Sequence, residues 1–168
     1  MENYMMINGK RIELTEEQVK LILADETKKS PFDRLNCGED YYYVGFGLQC
    51  NRTEEVNSAF DDSRFECGNY CTDENIMKQH ALHMLLNNLL WRYSMTHGGD
   101  KLDWNDRCKF KYHIAYDVSE NEIYIDWNSF YKTCGAVHFA DHTTAKAAIE
   151  EIVKPFIEAH PEFDMTKM

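Results

Sequence analysis

The sequence is short of the residues that punctuate or staple a chain. Three prolines and eight glycines in 168 residues leave no low-complexity tract and no long flexible tether, so one domain is the expectation. Basic residues are in deficit as well. Eighteen Lys and Arg against 29 Asp and Glu give a net charge of −11 and a pI near 5.0. A surface of that sign repels phosphate backbones, so direct nucleic-acid binding is disfavoured. No apolar run approaches the length of a membrane span. The stretch "MENYMMINGKRIEL" lacks the basic-then-apolar order of a signal peptide, which makes a cytoplasmic location the expectation. In that compartment the six cysteines are expected as reduced thiols, half-buried as small hydrophobes. Missing too are a P-loop, a dinucleotide fingerprint, a His-Glu-x-x-His helix and a nucleophile elbow, which disfavours the common nucleotide and hydrolase chemistries.

What is present suffices for a core. The chain is 43% hydrophobic and 13% aromatic, with ten tyrosines against nine phenylalanines. Tyrosine needs a partner for its hydroxyl, so part of the aromatic surface is expected at a rim or interface. Asn8-Gly9 marks a turn between two short alternating stretches. Thr15 with Gln18 forms a capping box ahead of Val19, Ile22 and Leu23, predicting a short N-terminal helix from Glu16 to Ala24. "DETKKSPF" is a polar linker, and it separates an N-terminal hairpin/helix segment (1–30) from an α+β domain (31–168). "DYYYVGFGLQC" predicts a strand, with "RTEEVNSAF" as a weakly patterned partner and "DDSRFECGNY" as a loop with a short strand. A long helix follows from an N-cap at Thr72, with Asp73 and Glu74 in its first turn and Gly98-Gly99 at its end. It is apolar around much of its circumference and should be the central packing element. "KFKYHIAYDVSENEIYIDW" predicts a hairpin with Phe110, Tyr112, Ile114 and Tyr116 on one face of its first strand. "GAVHFA" would add a third strand, giving a β-meander. A terminal helix opens at Thr143 or Thr144, and Pro155 kinks or divides it. The fold class is therefore α+β: a small antiparallel sheet packed on helices.

Several constellations invite chemistry. Cys67 and Cys71 have metal-ligand spacing, and His80 and His83 share a helix face. The rise of a helix, however, puts roughly 12–18 Å between the helix start and those histidines. One metal cannot span that, although two of the four would still serve a site completed by Cys37, Cys50 or Cys134. The competing reading is a turn into a helix, with Gly68-Asn69 as its permissive backbone. Cys108 with His113 is an i, i+5 pair and Cys134 with His138 an i, i+4 pair. On a strand residues four apart already stand roughly 13 Å apart, so neither pair can form an ion pair unless a turn intervenes. Asp103 and Asp106 flank Trp104 and read either as metal-binding acids or as Asx turns. The most lopsided stretch runs from Thr53 to Glu74, where Glu54, Glu55, Asp61, Asp62, Glu66, Asp73 and Glu74 face Arg64. It reads either as a solvated loop or as a contact for a basic partner. In the second reading Phe60 and Phe65 are the anchors, and the binding residues are Glu54, Glu55, Phe60, Asp61, Asp62, Phe65 and Glu66. Neither a metal nor a cofactor is expected, nor is catalysis.

The segments "INGKRIELTEEQ", "PFDRLNCGEDYYYV", "GNYCTDEN", "LDWND", "KYHIAYD" and "AIEEIVKPFIEAHPEF", in that order, resemble a group of small hypothetical proteins encoded by phages and prophages of Firmicutes. The likeness spans most of the chain. Its relatives often carry an aromatic residue where Cys71 stands, which weakens Cys71 as an obligatory metal ligand. The resemblance implies an origin more than a mechanism. Small acidic accessory proteins of phages are often antagonists of host defence, anti-CRISPR proteins among them. By that analogy of setting and composition, the chain is expected to be an acidic binding protein. It would inhibit a host defence nuclease, such as a CRISPR effector, by occupying a basic nucleic-acid or partner site. The alternatives are a phage structural or accessory domain without inhibitory role, and a metal- or thiol-dependent enzyme.

Overall fold

The N-terminal signals produce the local structures their residues specify. The computed structural model describes residues 4–7, 9–19 and 30–167. In it β1 (Tyr4–Ile7) and β2 (Lys10–Glu13) form an antiparallel hairpin, with Ile7 opposite Lys10 and Gly9 at a positive φ. Asn8, the other half of the expected turn, lies outside the described residues. The capping box closes as read: Thr15 Oγ1 accepts from the Gln18 N–H, and Gln18 Oε1 from the Thr15 N–H. Helix is present over 16–19; the rest of the expected helix, up to Ala24, lies outside the described residues.

Next comes a second ribbon, β3 (Asp40–Val44) against β4 (Cys50–Glu54), antiparallel and in register from Asp40–Glu54 to Val44–Cys50. The segment read as a loop with a short strand is instead a helix, α1 (Ala59–Glu66). Ser58 caps it in a full capping box with Asp61. Only Asp61 of this helix is buried, so no apolar stripe announces it. The stretch after α1 acts as a third strand without being one. Tyr42 and Cys71 exchange backbone hydrogen bonds of 2.7 and 3.0 Å. The Asn69 side chain takes the Val44 N–H and returns a bond to the Val44 carbonyl, as a backbone amide would.

The central helix α2 (Glu74–Thr96) is capped by Asp73 rather than Thr72, its carboxylate accepting from the Asn75 and Ile76 N–H groups. Its N-terminal half packs Met77 and Ala81 against Val44 and Cys71. Its C-terminal half packs Leu86 against Val153 and Phe156, with Leu82, Leu85, Leu89 and Leu90 around them. One helix therefore serves both ends of the core, which is why it is apolar on so much of its surface.

The strong hairpin is β5 (Lys111–Asp117) with β6 (Glu122–Asn128). Tyr112 faces Trp127, Ile114 faces Ile125 and Tyr116 faces Ile123. The expected meander is corrected: β7 (His138–Phe139) pairs with β5, so the strand order is β6-β5-β7. The chain between Asn128 and His138 is long enough to cross to the far edge of β5. This layout puts Phe139 with Ala145, Ala148 and Tyr112 on the helix side of the sheet.

The terminal helix starts at an Asp141 N-cap as α3 (His142–Ala148). It runs through a π-turn (Ile149–Val153) into α4 (Lys154–Ala159). Pro155 explains the π-turn. Its ring has no N–H and would clash with the carbonyl four residues back. The widened turn, closed by the Lys154 N–H on the Ile149 carbonyl, lets the helix continue without a break. The segment beyond α4 is clasped to α2: the Gln79 side chain donates to the Glu162 carbonyl and accepts from the Asp164 N–H.

Candidate functional site

The acidic stretch singled out in the sequence is a built structure. Two of its carboxylates lie inside the protein, each paired with a tyrosine. Glu55 is fully buried and Asp61 is 2% exposed. Tyr41 and Tyr70 stack at 4.0 Å between ring centroids. The Tyr41 hydroxyl donates to Asp61 Oδ1 at 2.6 Å, and the Tyr70 hydroxyl to Glu55 Oε2 at 3.0 Å. Two arginines close the cluster. Arg34 donates to both oxygens of Glu55 and pairs with Asp62 at 2.6 Å. Arg64 donates to the Tyr41 hydroxyl at 2.8 Å and lies 3.7 Å over the Tyr43 ring. Asp61 Oδ2 also accepts from the Val56 and Ser58 N–H groups and the Ser58 hydroxyl.

These contacts set the protonation states. Burial alone would push the Asp61 carboxyl up, but the hydrogen bonds from Tyr41, Ser58 and Val56 outweigh it and hold the group well below the usual carboxylate range. Burial, together with the neighbouring Asp61, pushes Tyr41 up to about 12. Burial also takes Tyr70 to about 12, with Glu55 adding to it. The tyrosines are held neutral as donors to buried anions.

The expected binding set therefore divides. Glu55 and Asp61 do not belong to an outer surface, because their charges are consumed by Arg34, Tyr70, Tyr41 and the α1 N-terminus. Phe65 packs edge-on against Tyr70 at 5.5 Å and is still 37% exposed. Asp62 faces solvent while paired with Arg34. Glu54, Phe60 and Glu66 remain in solvent, with Phe60 75% exposed. Phe46, at the tip of the β3–β4 hairpin, is fully exposed; the sequence reading took it as part of a strand. Of the buried network, only the Ser58–Asp61 capping box had a local sequence signal. Arg34, Tyr41 and Tyr70 had none, since their partners lie 15 to 28 residues away.

The other constellations resolve into structural roles. Cys67 is exposed and Cys71 buried, where desolvation raises its thiol above the ordinary range. His83 reaches the Asp164 carbonyl at 3.2 Å and the Phe163 ring. Among the described residues no three His, Cys, Asp or Glu side chains are grouped to hold a metal ion. Cys37, Cys67, Cys108 and Cys134 are exposed rather than half-buried. Asp103 and Asp106 each accept from the N–H two residues on, closing Asx turns. His113 and His138 are buried and adjacent across β5 and β7, with rings 5.4 Å apart. No helix among the described residues is long and apolar enough to cross a membrane. The chain matches no protein-family model, no curated protein and no solved structure.

Proposed function

We propose that the chain is a phage-derived binding protein that antagonises a host defence nuclease, a CRISPR effector being the leading class, from within the host cytoplasm. It would do so by occupying a basic groove meant for nucleic acid. The observation that carries this reading is α1. The helix buries only a carboxylate, is pinned by a rigid network of tyrosine, arginine and carboxylate, and leaves Phe60, Asp62 and Glu66 in solvent. A helix held this way spends little apolar surface on its own fold and presents an aromatic side chain beside carboxylates. That is the composition expected of an anchor for a basic partner. The overall charge supports the same reading. Arg34, Arg52, Arg64, Lys78, Lys154 and Lys167 are tied to carboxylates of their own chain, so the acids left over dominate the outer field.

The test is a cleavage-protection assay against a panel of nucleic-acid-guided nucleases, paired with a binding measurement. The wild-type chain should protect at least one target. The variant Glu54→Gln/Phe60→Ala/Glu66→Gln touches no network residue. It should associate more slowly, depend less on salt and protect less. Failure to inhibit or bind any member of the panel, or an equally potent variant, would sink the proposal.

A further inference from the structure

One cavity runs against the charge of the whole molecule. It has a volume of about 630 Å³ and opens between the C-terminal half of α2, the loop after it and the turn before β7. Its wall includes Asn87, Asn88, Trp91, Trp104, Lys132 and His138. Among the described residues that line it there is no Asp or Glu, in a chain with 29 of them. Two further cavities among the described residues are each rimmed with carboxylates, including Glu162 in both.

The lining chemistry is specific. Two of the three tryptophans of the chain stand here. Trp91 is 57% exposed, a costly placement for the largest aromatic unless something covers it. Trp104 packs edge-on against His138 at 4.9 Å. His138 is 5% exposed, and its Nε2 has no hydrogen-bond partner among the described residues. Its other ring nitrogen is engaged by the Ala136 carbonyl. Burial and the neighbouring His113 keep His138 below the ordinary histidine range, and Lys132 adds to this, so the ring is neutral and its buried Nε2 is a polar atom left without a partner at a residue of the cavity wall. Lys132 makes no ion pair among the described residues and supplies an uncompensated positive charge at the wall. Two adjacent side-chain amides, Asn87 and Asn88, complete a set suited to the edges of a heterocycle.

We propose that this cavity binds a free mononucleotide, with the base against Trp91 and Trp104, its polar edge toward the Asn87, Asn88 and His138 side of the wall, and its phosphate toward Lys132. The net charge of −11 excludes the long phosphate tracks of a polynucleotide from this site but tolerates a single phosphate next to a local cation. The size is that of an ordinary small-molecule pocket. The site is separate from the α1 surface and does not depend on it.

Calorimetry and tryptophan fluorescence on the full chain test it, with the four common 5′-mononucleotides, adenosine, inorganic phosphate and a short single-stranded oligonucleotide as probes. At least one mononucleotide should bind saturably below millimolar concentration and change the tryptophan emission. For AMP as the binder, adenosine should bind more weakly and phosphate alone not detectably. Trp91→Ala should weaken binding roughly tenfold, the worth of one base–aromatic stack. Lys132→Glu should weaken AMP by a similar factor, as loss of a charge-assisted contact implies, and leave adenosine nearly unchanged. Lys132 is exposed, so its variant tests the site even if the tryptophan variant folds poorly. Absence of saturable binding by all four mononucleotides overturns the proposal. So does insensitivity of binding to either variant, or tighter binding of the oligonucleotide than of any mononucleotide.

Discussion

Asp61→Ala is the sharpest perturbation of the polar lobe. The substitution removes a carboxylate that accepts from the Tyr41 hydroxyl, the Ser58 hydroxyl and two backbone N–H groups, and that lies 3.8 Å from the Arg64 guanidinium. Four donors lose their acceptor together, two of them at the start of α1. Removing one partner of a buried charged cluster costs about 3–5 kcal/mol. For a chain of this size that corresponds to a fall in Tm of about 6–20 °C. The loss should be concentrated in α1, which has no other buried side chain. Amide exchange over Ala59–Glu66 should therefore accelerate more than exchange in α2. Tyr41→Phe removes the donor to Asp61 and the acceptor of the Arg64 guanidinium while leaving both charges in place, and should cost at least about 1.5–3 kcal/mol. The double variant should cost less than the sum, because both changes break the same bond. The pH dependence has a fixed sign. The folded Asp61 carboxyl titrates below its unfolded value, so its contribution is fully present above pH about 4 and is lost as pH falls through the folded pKa. The stability gap between wild type and Asp61→Ala should be constant at neutral pH and close in acid. A cost under about 1 kcal/mol, or unchanged exchange in α1, would refute the claim that this network holds the helix.

Other outcomes follow from the same structure. Tyr41 and Tyr70 are each raised to about 12, so the neutral phenols stabilise the fold below their unfolded pKa of about 10. That stability should be lost as pH rises from about 10 to 12, by roughly 3 kcal/mol per ring. Phenolate absorbance should then show these two titrating together with unfolding. Cys37, Cys67, Cys108 and Cys134 should react with a thiol reagent at once, Cys50 more slowly, and Cys71 only on unfolding; early modification of Cys71 would contradict its burial. Phe139→Ala empties a site at the contact of sheet and helix and should cost about 3–5 kcal/mol by urea denaturation.

What the sequence made legible followed physical rules that act locally. The register of β5 against β6 is set by alternation, and Ile114 facing Ile125 with Tyr116 facing Ile123 follows from the period of two. The α2 helix was legible because its two halves bury different partners and so keep apolar residues on most of its turns. The Thr15–Gln18 box was legible because both members lie within four residues. α1 was not, because its only buried side chain is a carboxylate and hydrophobic periodicity carries no information about it. The burial of Glu55 was hidden for the same kind of reason: nothing near it in sequence reveals that Arg34 and Tyr70 arrive from either side. The position of β7 was hidden because two residues are too few to carry a period, and the connection before them permits either edge of the sheet. The cavity beside Trp91 was hidden because its wall is gathered from residues 87 to 138.

The two surfaces of interest are served by different parts of α2, and this has a testable consequence. Met77 and Ala81 hold the β3–β4 end, whereas Asn87 and Trp91 border the cavity. From Met77 to Trp91 the helix rises by roughly 21 Å. The Asp61 cluster and the Trp91 cavity share no hydrogen-bond partner and no ring contact among the described residues. Sites this far apart without shared partners are expected to behave additively. Asp61→Ala should therefore loosen α1 and weaken any partner bound there while leaving mononucleotide affinity at the cavity unchanged. Trp91→Ala should do the reverse. A change of several-fold at the distant site in either variant would mean that α2 transmits between them, and the proposal of two independent sites would give way to one of a coupled pair.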